Sequence, residues 1–332
     1  MNRRELVLGA VGGALALGSS GLAEVLRRRS TFDYDGIEVL GRGVERVTPN
    51  DRFYVVTKNL IDPRVDRDRW RLELCGLVEE QRTLDIRALE ELRAGEQETT
   101  LECISNAVGR GLLSNAVWTG VPLRDLLARA RPERGARRVF LHAADGYTHS
   151  TSLEKAMEPT TMLVYRMNGE PLPDRHGFPA RLIVPGAYGE VSVKWIDRIE
   201  LVDDDREGYY EKQGWQAQRV HTMSRIDVPA KDGRVRGSVE ISGVAFAGDR
   251  GISKVEVSTD GGRRWREAAI DYHPSKLTWA HWSLQWDAPR SGTHDLVVRA
   301  TDGDGEPQTA EEDNSVPDGA TGLHRVAVRA EA

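Results

Sequence analysis

Leu101-Glu102-Cys103-Ile104-Ser105-Asn106 is the stretch on which the fold and chemistry of this chain turn. It follows the threonine-rich strand end Thr99-Thr100 and precedes the run Trp118-Thr119-Gly120-Val121-Pro122-Leu123. A lone thiolate is a soft ligand that suits a soft or high-valent metal. Without company, however, such a cysteine is more often a buried core residue or a reactive thiol. The residues that change this balance lie downstream.

Asp145-Gly146-Tyr147 follows the strand-like run Val139-Phe140-Leu141-His142. Next come Tyr165-Arg166-Met167-Asn168-Gly169-Glu170-Pro171-Leu172-Pro173 and His176-Gly177-Phe178-Pro179-Ala180-Arg181. Pro185-Gly186-Ala187-Tyr188-Gly189 and Ser192-Val193-Lys194-Trp195 complete the set. His176, Arg181 and Lys194 offer cationic or donor groups for a phosphate. The glycines let backbone amides approach it, and the Asn-Gly and Pro-Gly turns present those groups on rigid loops. Singly, His176 could cap a turn, Arg181 pair on the surface and Lys194 snorkel. Jointly they suit a bulky anionic ligand.

The chain has 332 residues, enough for two ordinary domains, and its 39% hydrophobic content can bury a real core. Net charge is −6 with Lys and Arg scattered among acids, so no basic footprint points to nucleic acid. Two cysteines rule out a disulfide-rich scaffold and a four-cysteine zinc site. Cys75 ends an alternating run, Trp70-Arg71-Leu72-Glu73-Leu74-Cys75, and reads as an inert thiol on a charged strand face. A Cys75–Cys103 bridge is the alternative in an exported chain.

Arg3-Arg4 leads into the apolar stretch Leu6–Leu17 and then small residues up to Ala23, the order of a twin-arginine export signal. Export to the periplasm or cell surface is the expectation. Cleavage after Ala23 is expected, with an uncleaved membrane anchor as the other outcome, since the apolar run is short for a bilayer span. Residues 1–30 are assigned to signal or anchor and tether, and polar character persists to residue 50. Order is expected from about Phe53.

Residues 31–217 read as an α+β domain. Leu84–Leu92 and Leu123–Ala130 have helical spacing, and Met162–Tyr165, Arg181–Val184 and Trp195–Val202 read as strands. After residue 218 the pattern changes to short, regularly spaced strands: Ser238–Ile241, Ile252–Ser258, Trp282–Trp286, Asp295–Ala300 and His324–Val328. Turns such as Asp260-Gly261-Gly262 separate them, as in an immunoglobulin-like sandwich. Trp265, Trp279, Trp282 and Trp286 are assigned to packing. The acidic loop Asp302–Asp318 lacks calcium-loop spacing and is expected to be solvated.

On these motifs the chain resembles the sulfite oxidase superfamily. Residues 53–215 resemble its molybdopterin-binding domain, and 218–332 its immunoglobulin-like dimerisation domain. The resemblance implies a molybdenum–molybdopterin cofactor with one pterin and Cys103 as the metal ligand. It implies that His176, Arg181 and Lys194 hold the pterin and its phosphate, with Tyr54, Asn59, Asp145 and Ser192 lining the pocket. Trp215 and Tyr147 stand beside Cys103 as catalytic candidates. The implied reaction is oxygen-atom transfer with a small oxo-acceptor or oxo-donor. No Cys-x-x-Cys-His haem site occurs. A separate redox carrier, a cytochrome or a membrane quinone protein, is therefore implied, together with a homodimer through 218–332.

Four substrate-binding positions depart from the family pattern. The arginine pair after the cysteine block is replaced by Ala107-Val108-Gly109, with Arg110 displaced. An early Phe-x-x-Arg-Asn-His becomes Phe53-Tyr54-Val55-Val56-Thr57-Lys58. A C-terminal arginine before glycine becomes Asp318-Gly319, and Trp215 takes the place of a catalytic tyrosine. A dianion needs paired cations to offset its desolvation, so sulfite is expected to be a poor substrate. Methionine-sulfoxide reductase-like activity and sulfite dehydrogenase activity are the enzymatic alternatives. A cofactor-free periplasmic binding protein and a cysteine-nucleophile hydrolase using His142, His149 or His176 are the others.

Overall fold

The computed structural model describes residues 43–215, 219–289 and 291–331, so the export signal lies outside the described residues. The chain runs β1 (Leu72–Gly76), β2 (Arg82–Leu84), α1 (Ile86–Glu90), β3 (Gly95–Glu102), β4 (Leu113–Pro122), α2 (Leu123–Ala130), β5 (Arg138–Ala143) and β6 (Thr148–Ser152). It continues with α3 (Leu153–Ala156), β7 (Met162–Met167), β8 (Glu170–Pro171), β9 (Arg181–Ile183) and β10 (Ile196–Val202). These strands form two sheets, ordered β2-β1-β10-β5-β6 and β3-β4-β7-β8, with β9 pairing β7. Helices are few and short, as the α+β assignment requires.

Alternation explains the first sheet. Leu72 and Leu74 of β1 are buried while Glu73 and Cys75 between them are less so, and Ile196, Ile199 and Leu201 of β10 enter the same core. In α2, Leu123, Leu126, Leu127 and Ala130 recur at helical spacing and cover that core. The second sheet builds a separate core from Leu101, Ala116, Trp118, Val164, Met167 and Ile183, and Cys103 is part of it. Both cysteines are free.

The C-terminal part comprises β11 (Met223–Val228), β12 (Arg234–Val235), β13 (Ser238–Phe246), β14 (Ile252–Ser258) and β15 (Arg266–Glu267). It ends with β16 (Ala269–Tyr272), β17 (Ala280–Asp287), β18 (Gly292–Asp302) and β19 (Arg325–Ala330). Sheets β11-β13-β17-β16 and β12-β19-β18-β14-β15 face each other across a core holding Ile241, Val255, Trp282, Trp286, Leu296 and Val328. This is the immunoglobulin-like sandwich. Its outer cluster reaches across to the first part: Val220, Val244, Phe246 and Trp279 pack with Ile104, Leu113 and Tyr188. Among the described residues no helix is long and apolar enough to cross a membrane.

Three expectations need correction. Residues 43–50 are not a loose tether. Thr48 is buried, its amide donates to the Asn115 carbonyl at 2.8 Å, and the Arg46 carbonyl accepts from Trp279 Nε1 at 2.9 Å. The Leu84–Leu92 helix shrinks to α1, because Leu84 pairs with Leu72 in β2 and Asp85 caps the helix that begins at Ile86, accepting from the Ala88 amide at 2.8 Å. The acidic loop is not solvated at its root. Asp302 is buried and paired with Arg250 at 2.7 Å, its second oxygen accepting the Asp304 and Glu306 amides.

Candidate active site

Cys103 follows the last residue of β3, at the turn where the second sheet's leading strand meets a cleft of about 900 Å³ including its open mouth. The size is that of a cofactor site. Loops from both sheets line it: Cys103–Ser105 after β3, Asp145 and Tyr147 between β5 and β6, and Gly189–Trp195 between β9 and β10. Tyr54, His176, Arg181, Ser192, Lys194 and Trp215 also line it. Asn59 does not. It stands behind the wall, donating from Nδ2 to Asp145 Oδ2 at 2.6 Å and accepting from Lys58 Nζ at 2.9 Å. Its place is therefore a support for Asp145, whose other oxygen accepts the Tyr147 amide at 2.9 Å.

The cations are buried and bonded to neutral oxygens. Arg181 donates to the carbonyls of His176 (3.2 Å), Ser192 (2.9 Å) and Leu182 (3.4 Å), and its guanidinium lies 5.2 Å from the Trp118 ring centroid. Lys194 Nζ donates to the carbonyls of Arg175 (3.1 Å) and Val56 (3.3 Å) above the Trp195 ring. Burial pushes Arg181 down to about 10 and Lys194 down to about 7, the latter opposed by Asp62. Burial, with Arg181 and Lys194 nearby, pushes His176 down to about 3. His176 is thus a neutral imidazole that donates from Nε2 to the Asn50 carbonyl at 3.0 Å, not a cation.

The thiol has the opposite surroundings. Burial, then Glu190, push Cys103 up to about 12, against hydrogen bonds from Ser105. Glu190 lines the cleft, its carboxyl is pushed up to about 8 by burial, and its Oε2 has no hydrogen-bond partner among the described residues. Nothing in its sequence surroundings marked it, since an acid between Gly189 and Val191 has no periodicity of its own. Lys58 and Tyr210 are further lining residues that the motifs did not single out. Tyr210 stacks on Trp215 with centroids 4.3 Å apart, and Tyr147 Oη donates to the Glu190 carbonyl at 3.0 Å.

These donors fit an anionic pterin. Two buried cations held only by carbonyls, in a field that strips charge from a neighbouring histidine, are the environment a phosphate stabilises. A buried thiol with a high pKa becomes a thiolate when a bound metal ion replaces its proton. Among the described residues no group of three or more His, Cys, Asp or Glu side chains could hold a metal, so Cys103 is left as a single ligand rather than one corner of a protein cage.

A soft ligand at an anion-clasping cleft, on an α+β base joined to a sandwich, defines a molybdopterin oxidoreductase. Residues 59–210 match the oxidoreductase molybdopterin binding domain, and 212–331 match the Mo-co oxidoreductase dimerisation domain. The sulfite oxidase of Arabidopsis thaliana is 31% identical over 317 residues, covering 77% of this chain and 80% of that protein. The NAD(P)H nitrate reductase of Betula pendula is 28% identical over 77% of this chain, which spans only 36% of it. Rat mitochondrial sulfite oxidase is 29% identical, and the chain spans 56% of its length. The sulfane dehydrogenase SoxCD of Paracoccus pantotrophus shares the fold, with a TM-score of 0.77 over 89% of this chain and 86% of its own at 24% identity. This chain belongs to the sulfite oxidase family and is a molybdopterin-dependent oxidoreductase.

Proposed function

We propose that the protein transfers an oxygen atom to or from a small substrate that is not sulfite, after export through the twin-arginine route. The observation that carries this is the state of the cleft's cations. Arg181 is committed to three carbonyls, Lys58 to Asn59 and Asp145, and Lys194 to two carbonyls. Among the described lining residues Arg181 is the only arginine, and Arg110 lies exposed outside the cleft. No arginine pair remains for a dianion, whose desolvation then goes uncompensated.

When bound, the molybdopterin centre supplies two-electron oxygen-atom transfer. Cys103 presents the ligating sulfur, Arg181 and Lys194 hold the phosphate end, and Ser192 fixes the intervening loop by accepting the Val184 amide on Oγ at 3.1 Å. The Tyr147, Tyr210 and Trp215 rings wall the cleft and exclude water from the substrate. A separate redox carrier exchanges electrons, and 218–332 supports a homodimer.

Metal and pterin analysis of wild type beside Cys103→Ser, with steady-state turnover, tests this. We expect molybdenum and pterin in the wild type, and pterin without turnover in the variant. Sulfite kcat/KM with cytochrome c should lie below about 10⁴ M⁻¹s⁻¹, the lower edge of efficient enzymes. Efficient sulfite turnover overturns the substrate assignment, and methionine-sulfoxide reduction with a dye donor would redirect it. Replacing Arg3 and Arg4 with lysine should trap the protein in the cytoplasm.

A further inference from the structure

The loop that carries Cys103 closes on itself. The Cys103 amide donates to the Leu112 carbonyl at 2.9 Å, and the Leu112 amide donates to Asn106 Oδ1 at 2.9 Å. Asn106 Nδ2 then donates to Glu102 Oε1 at 2.8 Å. These bonds give the loop a shape but do not fix where it sits. Its position is set from the sandwich.

Arg225 of β11 is fully buried and donates from Nη1 to the Arg110 carbonyl at 2.7 Å. Its remaining nitrogens hold Asp227, Nε to Oδ1 at 2.5 Å and Nη2 to Oδ2 at 3.2 Å. His324 accepts the Ile226 amide on Nδ1 at 3.0 Å and lays its ring on Gly109, where any Cβ would collide with it. The strand entering the loop is gripped from the same side. Thr100 donates its amide to the Leu277 carbonyl at 3.0 Å, and its Oγ1 accepts the Trp279 amide at 2.9 Å.

A buried ion pair is poor value for stability, because apolar residues of similar volume often do as well or better. Such a pair is better explained by what it holds in place. Here that is a main-chain carbonyl seven residues after the sulfur. We infer that Arg225 and His324 are positioning residues for the metal-ligating loop, so that the sandwich sets where Cys103 presents its sulfur. The inference rests on the assignment of Cys103 as the ligand.

The test uses the full chain with its cofactor. Arg225→Met combined with Asp227→Leu removes both charges and leaves no orphan. Arg225→Lys keeps the charge and a donor. His324→Asn keeps an acceptor for the Ile226 amide but removes the ring from Gly109. Amide hydrogen exchange, molybdenum and pterin content, the electron paramagnetic resonance spectrum of the centre, kcat and KM are measured for each.

In the double variant and in His324→Asn, exchange across residues 104–112 should quicken by about tenfold or more while β13 and β17 keep their protection. The cofactor should stay bound, the spectrum should shift, and kcat should fall by about 10- to 100-fold with little change in KM, as for a small misplacement of a reacting group. Arg225→Lys should restore most of both. Unchanged loop exchange and spectrum in a fully loaded variant overturn the inference, and so does a uniform loss of protection, which would mark a purely structural role. If the double variant fails to fold, His324→Asn alone decides. Absence of molybdenum in the wild type defeats the ligand assignment instead, while the exchange result still reports on the loop.

Discussion

Lys194 shows how a single side chain can carry a function that its neighbours make costly. Its ammonium meets only the Arg175 and Val56 carbonyls as direct hydrogen-bond partners, and burial lowers its pKa to about 7. A phosphate bound against it turns that cost into a charge-assisted contact worth about 1.5–3 kcal/mol. Lys194→Met should therefore fold normally yet lose pterin, with occupancy after gel filtration reduced about tenfold at limiting cofactor. Full pterin content in that variant would remove Lys194 from the phosphate site. Cys103, Arg181 and Lys194 were legible in the sequence because their chemistry is carried by residue type. The neutral state of His176 was not legible, because it depends on two cations that the fold brings beside it. Nor was Glu190, whose significance lies in its burial, or the retreat of Asn59 to a position behind Asp145.

At the level of elements, alternation made β1, β7, β10 and β14 readable, and the buried stripe of α2 likewise. What could not be read was competition between local and distant partners. Leu84 has helical spacing with the residues after it, but Leu72 claims it as a strand neighbour, and that long-range pairing wins. Gly120 in β4 is another such case. The β4–β7 register shifts between Thr119 and Gly120, and a Cβ at Gly120 would enter the Leu163 carbonyl and lie 2.5 Å from Val164 Cα. These are backbone atoms in the middle of a sheet and cannot step aside cheaply. Gly120→Ala should cost about 3 kcal/mol or more by denaturant unfolding, at the large end for single substitutions. A loss below about 1 kcal/mol would show that the sheet can open there.

For the whole molecule, turn spacing marked the change to a sandwich near residue 218, but the junction between the two parts was invisible. Tyr188, Ile104 and Leu113 meet Val244, Phe246 and Trp279 only once both parts are folded. The folded molecule also buries several histidines whose consequence is collective. Burial pushes His149, His281 and His324 each down to about 4. In the unfolded chain such groups titrate near pH 6.5, so between about pH 6.5 and 4 the unfolded state binds more protons and stability falls as pH falls. Above pH 6.5 both states are neutral and these groups impose no penalty; below about pH 4 their penalty is complete, at up to about 3 kcal/mol each. His149 is the clearest member, because it is almost fully buried in β6 and neither ring nitrogen has a hydrogen-bond partner in the structure. Replacing it with leucine removes one titrating group and leaves no polar atom to satisfy. Unfolding free energy measured from pH 6 to 4.5 should then fall less steeply, with a slope smaller by about 1.4 kcal/mol per pH unit as one proton leaves the linkage. An unaltered slope would mean that His149 takes up its proton in the folded protein as readily as in the unfolded chain, and acid sensitivity would have to come from the carboxylates instead.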